Sequence, residues 1–212
     1  MSPYLCQNAG QTSHARPKSR PSSMSFRLLW VTVAFAWMAP AGALVPAPDF
    51  DLKRYLGTWY EIAAIPGFLQ SRCARDTRSQ YSDAENGAIA SNSRCLRADG
   101  TVEEGEGRQR PLDPELPAVL KVTAVHFLGI WWYPFGRESI VLAVGPDYRW
   151  IVVGHPSLRY GRILSRRPML EDQDLVQAAG ALANQQFDLC TFVTTPQTGG
   201  LERATRLCEL VH

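Results

Sequence analysis

The sequence predicts an all-β protein in which eight antiparallel strands, in up-and-down order, close into a barrel with one C-terminal α-helix packed outside. Short runs of β-type residues recur between residues 56 and 166, and segments rich in Gly, Pro, Asn and Asp separate them. A helical period appears after Pro168. Eight strands are enough to close a sheet, and closure removes the edges that promote aggregation. The interior of such a barrel is filled by side chains or holds one small ligand.

Strands and turns alternate along the chain. The predicted strands are residues 56–65, 78–83, 88–96, 101–110, 118–125, 139–144, 148–154 and 159–166. The turns between them include residues 85–87, 98–100, 111–117, 145–147 and 155–157. The helix is predicted within residues 169–187, because a 3.6-residue period relates Leu175, Ala178, Ala179, Leu182 and Phe187. A short β-type run at 191–195 precedes a Gly-rich tail that begins at about residue 197.

The N-terminal 43 residues differ from the rest because they contain no Asp or Glu. An apolar run of 12 residues, 28–39, ends near the small residues Ala41, Gly42 and Ala43. This run is short against the roughly 20 residues of a membrane-spanning helix, so a signal peptide at 24–43 is favoured over an anchor. Met24 stands where a signal peptide begins, and residues 1–23 are interpreted as an upstream extension or a misassigned start. Residues 44–212 are predicted to form a single domain.

The charge balance excludes one class of partner. Without residues 1–43 the chain keeps 18 of its 22 basic residues and all 20 acidic ones, a formal charge of −2. Nucleic-acid binding requires excess positive charge, and no basic stripe with interleaved aromatics occurs. The sequence therefore predicts no nucleic-acid partner.

Four cysteines remain in the predicted exported chain, namely Cys73, Cys95, Cys190 and Cys208. Four cysteines in an exported protein indicate two disulfides, with three possible pairings. No CxxC or Cys/His pair has the spacing of a zinc site, so neither a metal nor a cofactor is predicted. If Asn86-Gly87 is a two-residue turn, Arg78 faces Cys95 and Cys73 lies roughly 16 Å of extended strand away. A Cys73–Cys95 bond then requires the chain to fold back.

Four sequence blocks resemble the lipocalins, in the branch of bacterial outer-membrane lipocalins and their apolipoprotein D-like relatives. They are LKRYLGTWYEIAAIP at 52–66, LRADGTVEEGEG at 96–107, GPDYRW at 145–150 and ILSRRP at 163–168. They occur in the family's order and cover about residues 50–196. The resemblance implies the lipocalin β-barrel and the binding, storage or transport of a small hydrophobic ligand. A fatty acid or lysophospholipid is the implied ligand, and lipid maintenance in a bacterial envelope the implied role.

Five residues are expected to hold one end of the barrel closed. Gly57 permits the bend into the first strand, and Trp59 plugs the narrow end with a large apolar area. The resemblance places the Arg166 guanidinium across the Trp59 indole and assigns Asp147 and Tyr148 to a turn at the same end. The resemblance also implies the pairings Cys73–Cys208 and Cys95–Cys190. The lipoprotein cysteine of bacterial relatives is replaced here at Ala43-Leu44, so a periplasmic protein is predicted, with outer-membrane association left open.

The ligand-binding residues are predicted on two parts of the barrel. The wall candidates are Ala63, Tyr81, Leu142 and Trp150. Period-2 alternation places Glu61, Ala63 and Ile65 on the same face of the first strand as Trp59. On the other strands this alternation does not determine which residues face inward. The loop HFLGIWWYPFG at 126–136 supplies Phe127, Trp131, Trp132 and Tyr133, as a lip at the mouth, a membrane contact or an inward plug. A buried Glu61 needs a partner, and we expect it to pair with an arginine or to accept backbone hydrogen bonds near the closed end.

Three functions remain open at this point. The first is a lipid carrier, and the second is an interaction protein with a filled barrel that uses the Trp131–Phe135 loop. The third is an enzyme, which the sequence disfavours because it lacks GxSxG, HExxH, CxxC and P-loop patterns. No catalytic residue is predicted. The volume inside the barrel separates the first function from the second.

Overall fold

The computed structural model describes residues 43–67 and 70–211. The predicted upstream extension and nearly all of the predicted signal peptide, residues 1–42, lie outside the described residues. A short helix, α1 (Leu52–Tyr55), leads into the sheet, and α2 (Asp172–Asn184) follows it. The strands are β1 (Gly57–Ala64), β2 (Arg75–Asp83), β3 (Ile89–Leu96), β4 (Val102–Pro111), β5 (Val119–Thr123), β6 (His126–Phe127), β7 (Ile130–Trp131), β8 (Arg137–Val144), β9 (Trp150–Gly154), β10 (Gly161–Ser165) and β11 (Val193–Thr194).

Eight strands form a closed antiparallel barrel. The order runs β1-β2-β3-β4-β5-β8-β9-β10, and β10 pairs with β1 to close the sheet. The strands β6 and β7 form a separate hairpin between β5 and β8, and β11 adds to β1 as an extra strand. The predicted barrel with its C-terminal helix is confirmed.

Two apolar clusters divide the core between the inside and the outside of the barrel. One cluster lies inside and includes Trp59, Ile151 and Val153. The other packs α2 against the outer face of the sheet, where Leu182 and Ala178 are fully buried. The α2 helix therefore covers one outer wall, and the interior is filled by side chains of the strands and of the N-terminal segment that includes α1.

The closed end of the barrel is built around the Trp59 indole. Trp59 is fully buried, and its Nε1 donates to the carbonyl of Tyr55 at 2.7 Å. The guanidinium carbon of Arg166 lies 3.7 Å from the indole centroid, and Arg166 also donates to the carbonyls of Thr58 and Arg54. Gly57 has a φ of 103°, and a Cβ there would lie 3.0 Å from Arg166 Nη1. Only glycine fits this approach without strain.

A second set of contacts ties the β8–β9 turn to the N-terminal segment at the same end. The Tyr148 hydroxyl contacts the carbonyl of Asp49 and the backbone N–H of Asp51. Asp147 has a φ of 53°, which allows the tight turn. Arg54 lies over the Tyr148 ring with its guanidinium carbon 4.2 Å from the centroid. These residues stabilise the closed end and lie away from the open end.

The disulfides pair as Cys73–Cys95 and Cys190–Cys208, so the predicted pairings Cys73–Cys208 and Cys95–Cys190 are wrong. The β2 strand begins three residues earlier than predicted, and its register shifts between Arg75 and Arg78. The backbone N–H of Ala74 donates to the carbonyl of Leu96, which folds the chain back beside β3. The Cα atoms of Cys73 and Cys95 are consequently 5.5 Å apart, an ordinary disulfide separation.

The C-terminal segment that was predicted as a Gly-rich tail packs against the barrel. The β1–β2 pairing extends only from Gly57 to Tyr60, and β11 pairs with β1 at Ala63 and Ala64. Gln197, which is buried, donates to the carbonyls of Glu61 and Thr77 and bridges the two separating strands. The segment therefore closes a gap in the wall.

We expect the loss of the cation–π contact at the closed end to destabilise the fold. Arg166→Gln should lower the free energy of unfolding by about 1–3 kcal/mol, because it removes the guanidinium from the Trp59 face and two hydrogen bonds to carbonyls. Urea denaturation followed by tryptophan fluorescence measures this change. Arg167→Gln, at the exposed neighbouring residue, is the control. Equal effects of the two substitutions would contradict the role of Arg166.

The disulfide of the C-terminal segment should stabilise the fold by closing a loop with a sequence separation of 18. Replacing both Cys190 and Cys208 by Ser should cost about 3 kcal/mol of unfolding free energy, by the chain-entropy estimate for a loop of this size. Peptide mapping without reductant tests the pairing directly. A peptide that joins Cys73 to Cys208 would refute it.

Candidate functional site

A chamber of about 220 Å³ lies inside the barrel. One wall consists of small residues that face inward in cross-strand rows. Ser79, Ser93 and Gly105 form one row across β2, β3 and β4, and Ser91 and Gly107 belong to the next. Because these side chains are short, they leave space inside the barrel along this wall.

The floor of the chamber is formed by two stacked tyrosines. The rings of Tyr55 and Tyr81 lie 4.6 Å apart, and the Tyr55 hydroxyl donates to Gln109 Oε1 at 3.3 Å. Burial, together with Tyr81, raises the pKa of Tyr55 well above its usual value. The Tyr55 hydroxyl therefore stays protonated and neutral.

A buried ion pair lies in the wall of the chamber. Glu61 is 2% exposed, its Oε2 lies 2.7 Å from Arg162 Nε, and its Oε1 accepts a hydrogen bond from the Thr195 hydroxyl at 2.8 Å. Burial lowers the pKa of Arg162, but the charge of Glu61 and the nearby tyrosines raise it by more, so the guanidinium stays charged. The predicted pairing of Glu61 with an arginine is confirmed, although it lies where β1 leaves β2 and not at the closed end.

The mouth of the chamber is the end farthest from Trp59. It is lined by Arg72, by Arg137, by Tyr160 and by the Cys73–Cys95 disulfide. Glu103, on the β4 side, pairs with both Arg72 and Arg97. Arg137 lies on the opposite side, with its guanidinium carbon 4.1 Å from the centroid of the Tyr160 ring.

The aromatic loop packs on the outside of the barrel. Trp131 stacks on His126 at 4.5 Å and contacts the Arg108 guanidinium at 4.7 Å, while Arg110 lies 4.1 Å from the Tyr133 ring. Arg108 and Arg110 flank the inward-facing Gln109 and therefore point outward. The lining of the chamber includes none of the loop residues 126–136 in the described part of the chain, so the interpretation as an inward plug is wrong.

The tip of this hairpin is apolar and exposed. Phe127, Leu128 and Ile130 have exposed fractions of 61%, 81% and 60%, and Phe135 is 72% exposed. Trp132 is 39% exposed, and its Nε1 donates to the carbonyl of Phe127 at 3.4 Å. The predicted ligand residues Phe127, Trp131, Trp132 and Tyr133 thus form an outer surface near the mouth and do not line the chamber.

Among the predicted wall residues, Tyr81 lines the chamber, whereas Ala63, Leu142 and Trp150 belong to the outer apolar cluster, Ala63 beside β11. A β-bulge between Glu61 and Ala63 reverses the alternation on β1, so Ala63 faces away from Trp59. On β8 and β9 the predictions that Leu142 and Trp150 face inward are wrong. There Val141, Ile151 and Val153 face inside, and Leu142, Trp150 and Val152 face α2.

The sequence contains a local signal for the chamber wall, which the period of the apolar residues alone does not reveal. Small residues alternate with larger polar ones in RSQ at 78–80, in SNS at 91–93 and in EGEG at 104–107. The small members face inside and the charged members face solvent. By contrast, no local pattern identifies Arg137, Tyr160 and Arg162 as neighbours, because they meet only when the barrel closes.

No group of three His, Cys, Asp or Glu residues within 43–67 and 70–211 is arranged to hold a metal ion. No helix in the same ranges is long and apolar enough to cross a membrane.

Comparison with known proteins identifies relatives over most of the chain. The outer membrane lipoprotein Blc of Escherichia coli K12 is 29% identical over 171 residues, which cover 80% of this chain and 92% of that protein. Apolipoprotein D of Bos taurus is 41% identical over 155 residues, 70% and 78% of the two chains. Temperature-induced lipocalin-1 of Arabidopsis thaliana is 30% identical over 150 residues, 70% and 80% of the two chains.

Solved structures share the fold. Insecticyanin of the tobacco hornworm Manduca sexta aligns with a TM-score of 0.57 at 20% identity, over 76% of this chain and 90% of that one. Lobster apocrustacyanin A1 aligns with a TM-score of 0.53 at 22% identity, over 70% and 80% of the two chains. The family model of the lipocalin-like domain matches residues 50–197. The chain therefore belongs to the lipocalin family, whose members generally bind small hydrophobic ligands.

Proposed function

We propose that the protein binds a single-chain lipid, a fatty acid or a lysophospholipid, in the chamber and stores or transports it during lipid maintenance in a bacterial envelope. The chamber between Trp59 and the mouth carries this proposal. Its volume of about 220 Å³ lies below the roughly 300–1,000 Å³ of pockets for drug-sized ligands. This size favours one slender chain over a two-chain phospholipid.

The character of the chamber supports binding without catalysis. The small inward-facing residues of β2 to β4 leave space along one wall, and the tyrosine floor offers apolar ring faces. The two described histidines outside the N-terminal region are used elsewhere: His126 stacks on Trp131, and His155 bonds to Ser157 within its own loop. We therefore propose a binding protein that performs no chemistry on its ligand.

Two further observations support the cellular location. Both disulfides indicate an oxidising compartment, since disulfides are rare in the cytosol. A relative from Escherichia coli carries the name outer membrane lipoprotein. We propose a periplasmic protein that associates with the outer membrane.

The exposed hairpin favours a second, compatible function, namely contact with a lipid surface. Large exposed apolar patches on a protein surface mark sites of contact with other proteins or with membranes. The exposed Phe127 and Ile130 are paired across the hairpin, and Arg108 and Arg110 lie directly beneath it. Apolar tips above guanidinium groups match the acyl chains and anionic head groups of a bilayer.

Filling the chamber should abolish lipid binding without unfolding the barrel. A Cβ at Gly105 meets no heavy atom within 4 Å, and Gly105 faces the chamber beside Ser93, so Gly105→Phe directs its ring into the empty space. We expect at least a tenfold loss of oleic acid and lysophosphatidylcholine binding in native mass spectrometry, because the ring occupies volume that the acyl chain requires. Asn92→Phe, which places the same ring on the outer face of β3 at an exposed residue outside the chamber lining, should bind like the wild type. Unchanged binding by the Gly105 variant would overturn the proposal.

Removing the apolar tip should weaken membrane contact. Phe127→Ser combined with Ile130→Ser should reduce cosedimentation with vesicles of phosphatidylglycerol and phosphatidylethanolamine by about tenfold or more, since each buried side chain contributes about 1.5–3 kcal/mol. Met169→Ser, which alters an exposed apolar residue after β10, is the matched control. Equal cosedimentation of the hairpin variant and the control would refute the membrane contact and leave the carrier proposal intact.

A further inference from the structure

Three side chains at the mouth of the chamber form a compact cationic group. Arg137 begins β8, Tyr160 precedes β10, and Arg162 lies on β10. The guanidinium carbons of Arg137 and Arg162 lie 4.1 and 5.9 Å from the centroid of the Tyr160 ring. All three side chains line the chamber.

The donors of this group are incompletely used by the protein. Arg162 directs its Nε at Glu61, and its two Nη atoms make no hydrogen bond to the described residues. Arg137 has no carboxylate within 4 Å in the part of the chain that the structure describes. Three further carboxylates border the chamber on β4: Glu103 is held by Arg72 and Arg97, whereas Glu104 and Glu106 are exposed to solvent.

The cluster therefore has a net charge of +1, because it contains two guanidiniums and a single paired carboxylate. Two guanidiniums flank the Tyr160 ring, and the one described carboxylate that pairs with either of them, Glu61, is neutralised by Arg162 and accepts a hydrogen bond from Thr195. A guanidinium offers N–H donors in a planar fork that matches the oxygens of a carboxylate or phosphate. The walls of the chamber shield the Arg162 side chain, which is 14% exposed, and this strengthens its attraction for an anion relative to open water, whereas Arg137 is exposed at the rim.

The position of the cluster fits the polarity of a single-chain lipid. The cluster lies at the mouth, and the ring faces of Tyr55 and Tyr81 lie at the floor. A charged head at the cluster stays near water, while the acyl chain extends toward the floor. The opposite orientation would bury the charged head against the floor.

We propose that Arg137 and Arg162, on either side of the Tyr160 ring, form an oxyanion-binding site that holds the anionic carboxylate or phosphate head of a single-chain lipid. This site deepens the proposed carrier function and rests on it. It selects anionic lipids over neutral ones that have the same chain. The uncharged alcohol of equal length fills the chamber but leaves the Arg137 donors unpaired.

The test compares ligands that differ only in the head group. Dodecanoic acid, dodecyl phosphate and dodecanol are titrated into the wild-type protein by isothermal calorimetry at pH 7.5. We expect at least one of the two anions to bind tenfold or more tightly than dodecanol, as charge-assisted hydrogen bonds predict. The tighter anion identifies the preferred head group. Raising the salt concentration should weaken the binding of the anion and leave the binding of dodecanol unchanged.

Two variants assign the effect to the cluster. Arg137→Gln removes an unpaired charge and should bring the affinity of the anion to within about threefold of dodecanol. Arg159→Gln, on the exposed β9–β10 loop outside the chamber lining, should retain the wild-type preference. The combined change Glu61→Gln and Arg162→Gln removes the buried pair together and should also lose the preference, with thermal melting as the check on folding.

The outcomes separate this inference from the proposed function. Binding of dodecanol and of both anions with equal affinity would overturn the oxyanion site and leave the lipid carrier standing. A preference for the anion that persists in Arg137→Gln and in the double variant would also overturn the site. Failure of all three ligands to bind would overturn the carrier and the site together.

Discussion

The closed barrel depends on the hydrogen bonds of β1, which serves three other strands. Its first half pairs with β2, its second half pairs with β10, and β11 joins where β2 departs. At this junction the wall would otherwise expose backbone groups and the Glu61 carboxylate. Thr195, Gln197 and Arg162 satisfy those groups from two directions. A buried carboxylate costs several kcal/mol unless it is paired and hydrogen-bonded, so the junction holds together only as a complete set.

The two ends of the barrel use arginine in different ways. At the closed end Arg166 is fully engaged, because it covers the Trp59 indole and donates to two carbonyls. At the mouth Arg137 rests on the Tyr160 ring and keeps its donors available. The contacts of Arg166 stabilise the fold, whereas the N–H donors of Arg137 stay available for a ligand. The wall formed by β2 and β3 between them carries the short hydroxyl side chains of Ser79, Ser91 and Ser93, which provide space without adding charge.

The sequence was sufficient for the fold class because turn residues and the GxW, GPDYRW and ILSRRP blocks are local signals. It also identified the cysteines and the residues of the closed end. It failed for the inward set of β1, β8 and β9, since a bulge after Glu61 reverses the alternation that period-2 arguments assume. The disulfide pairing failed for a similar reason, because the irregular start of β2 brings Cys73 beside β3. Contacts across the closed barrel, such as that of Arg137 with Tyr160, have no local sequence pattern from which they could be predicted.

The position of β11 also determines when the barrel is complete during synthesis. The hydrogen bond from Thr195 to Glu61 spans 134 residues, and the bridge from Gln197 to Glu61 spans 136. The first strand of the barrel is therefore finished by nearly the last part of the chain to emerge. Long-range pairing of this kind is slow to form, because loop closure precedes any gain from the contacts. A chain that folds only after its synthesis is complete meets all these pairing partners at once.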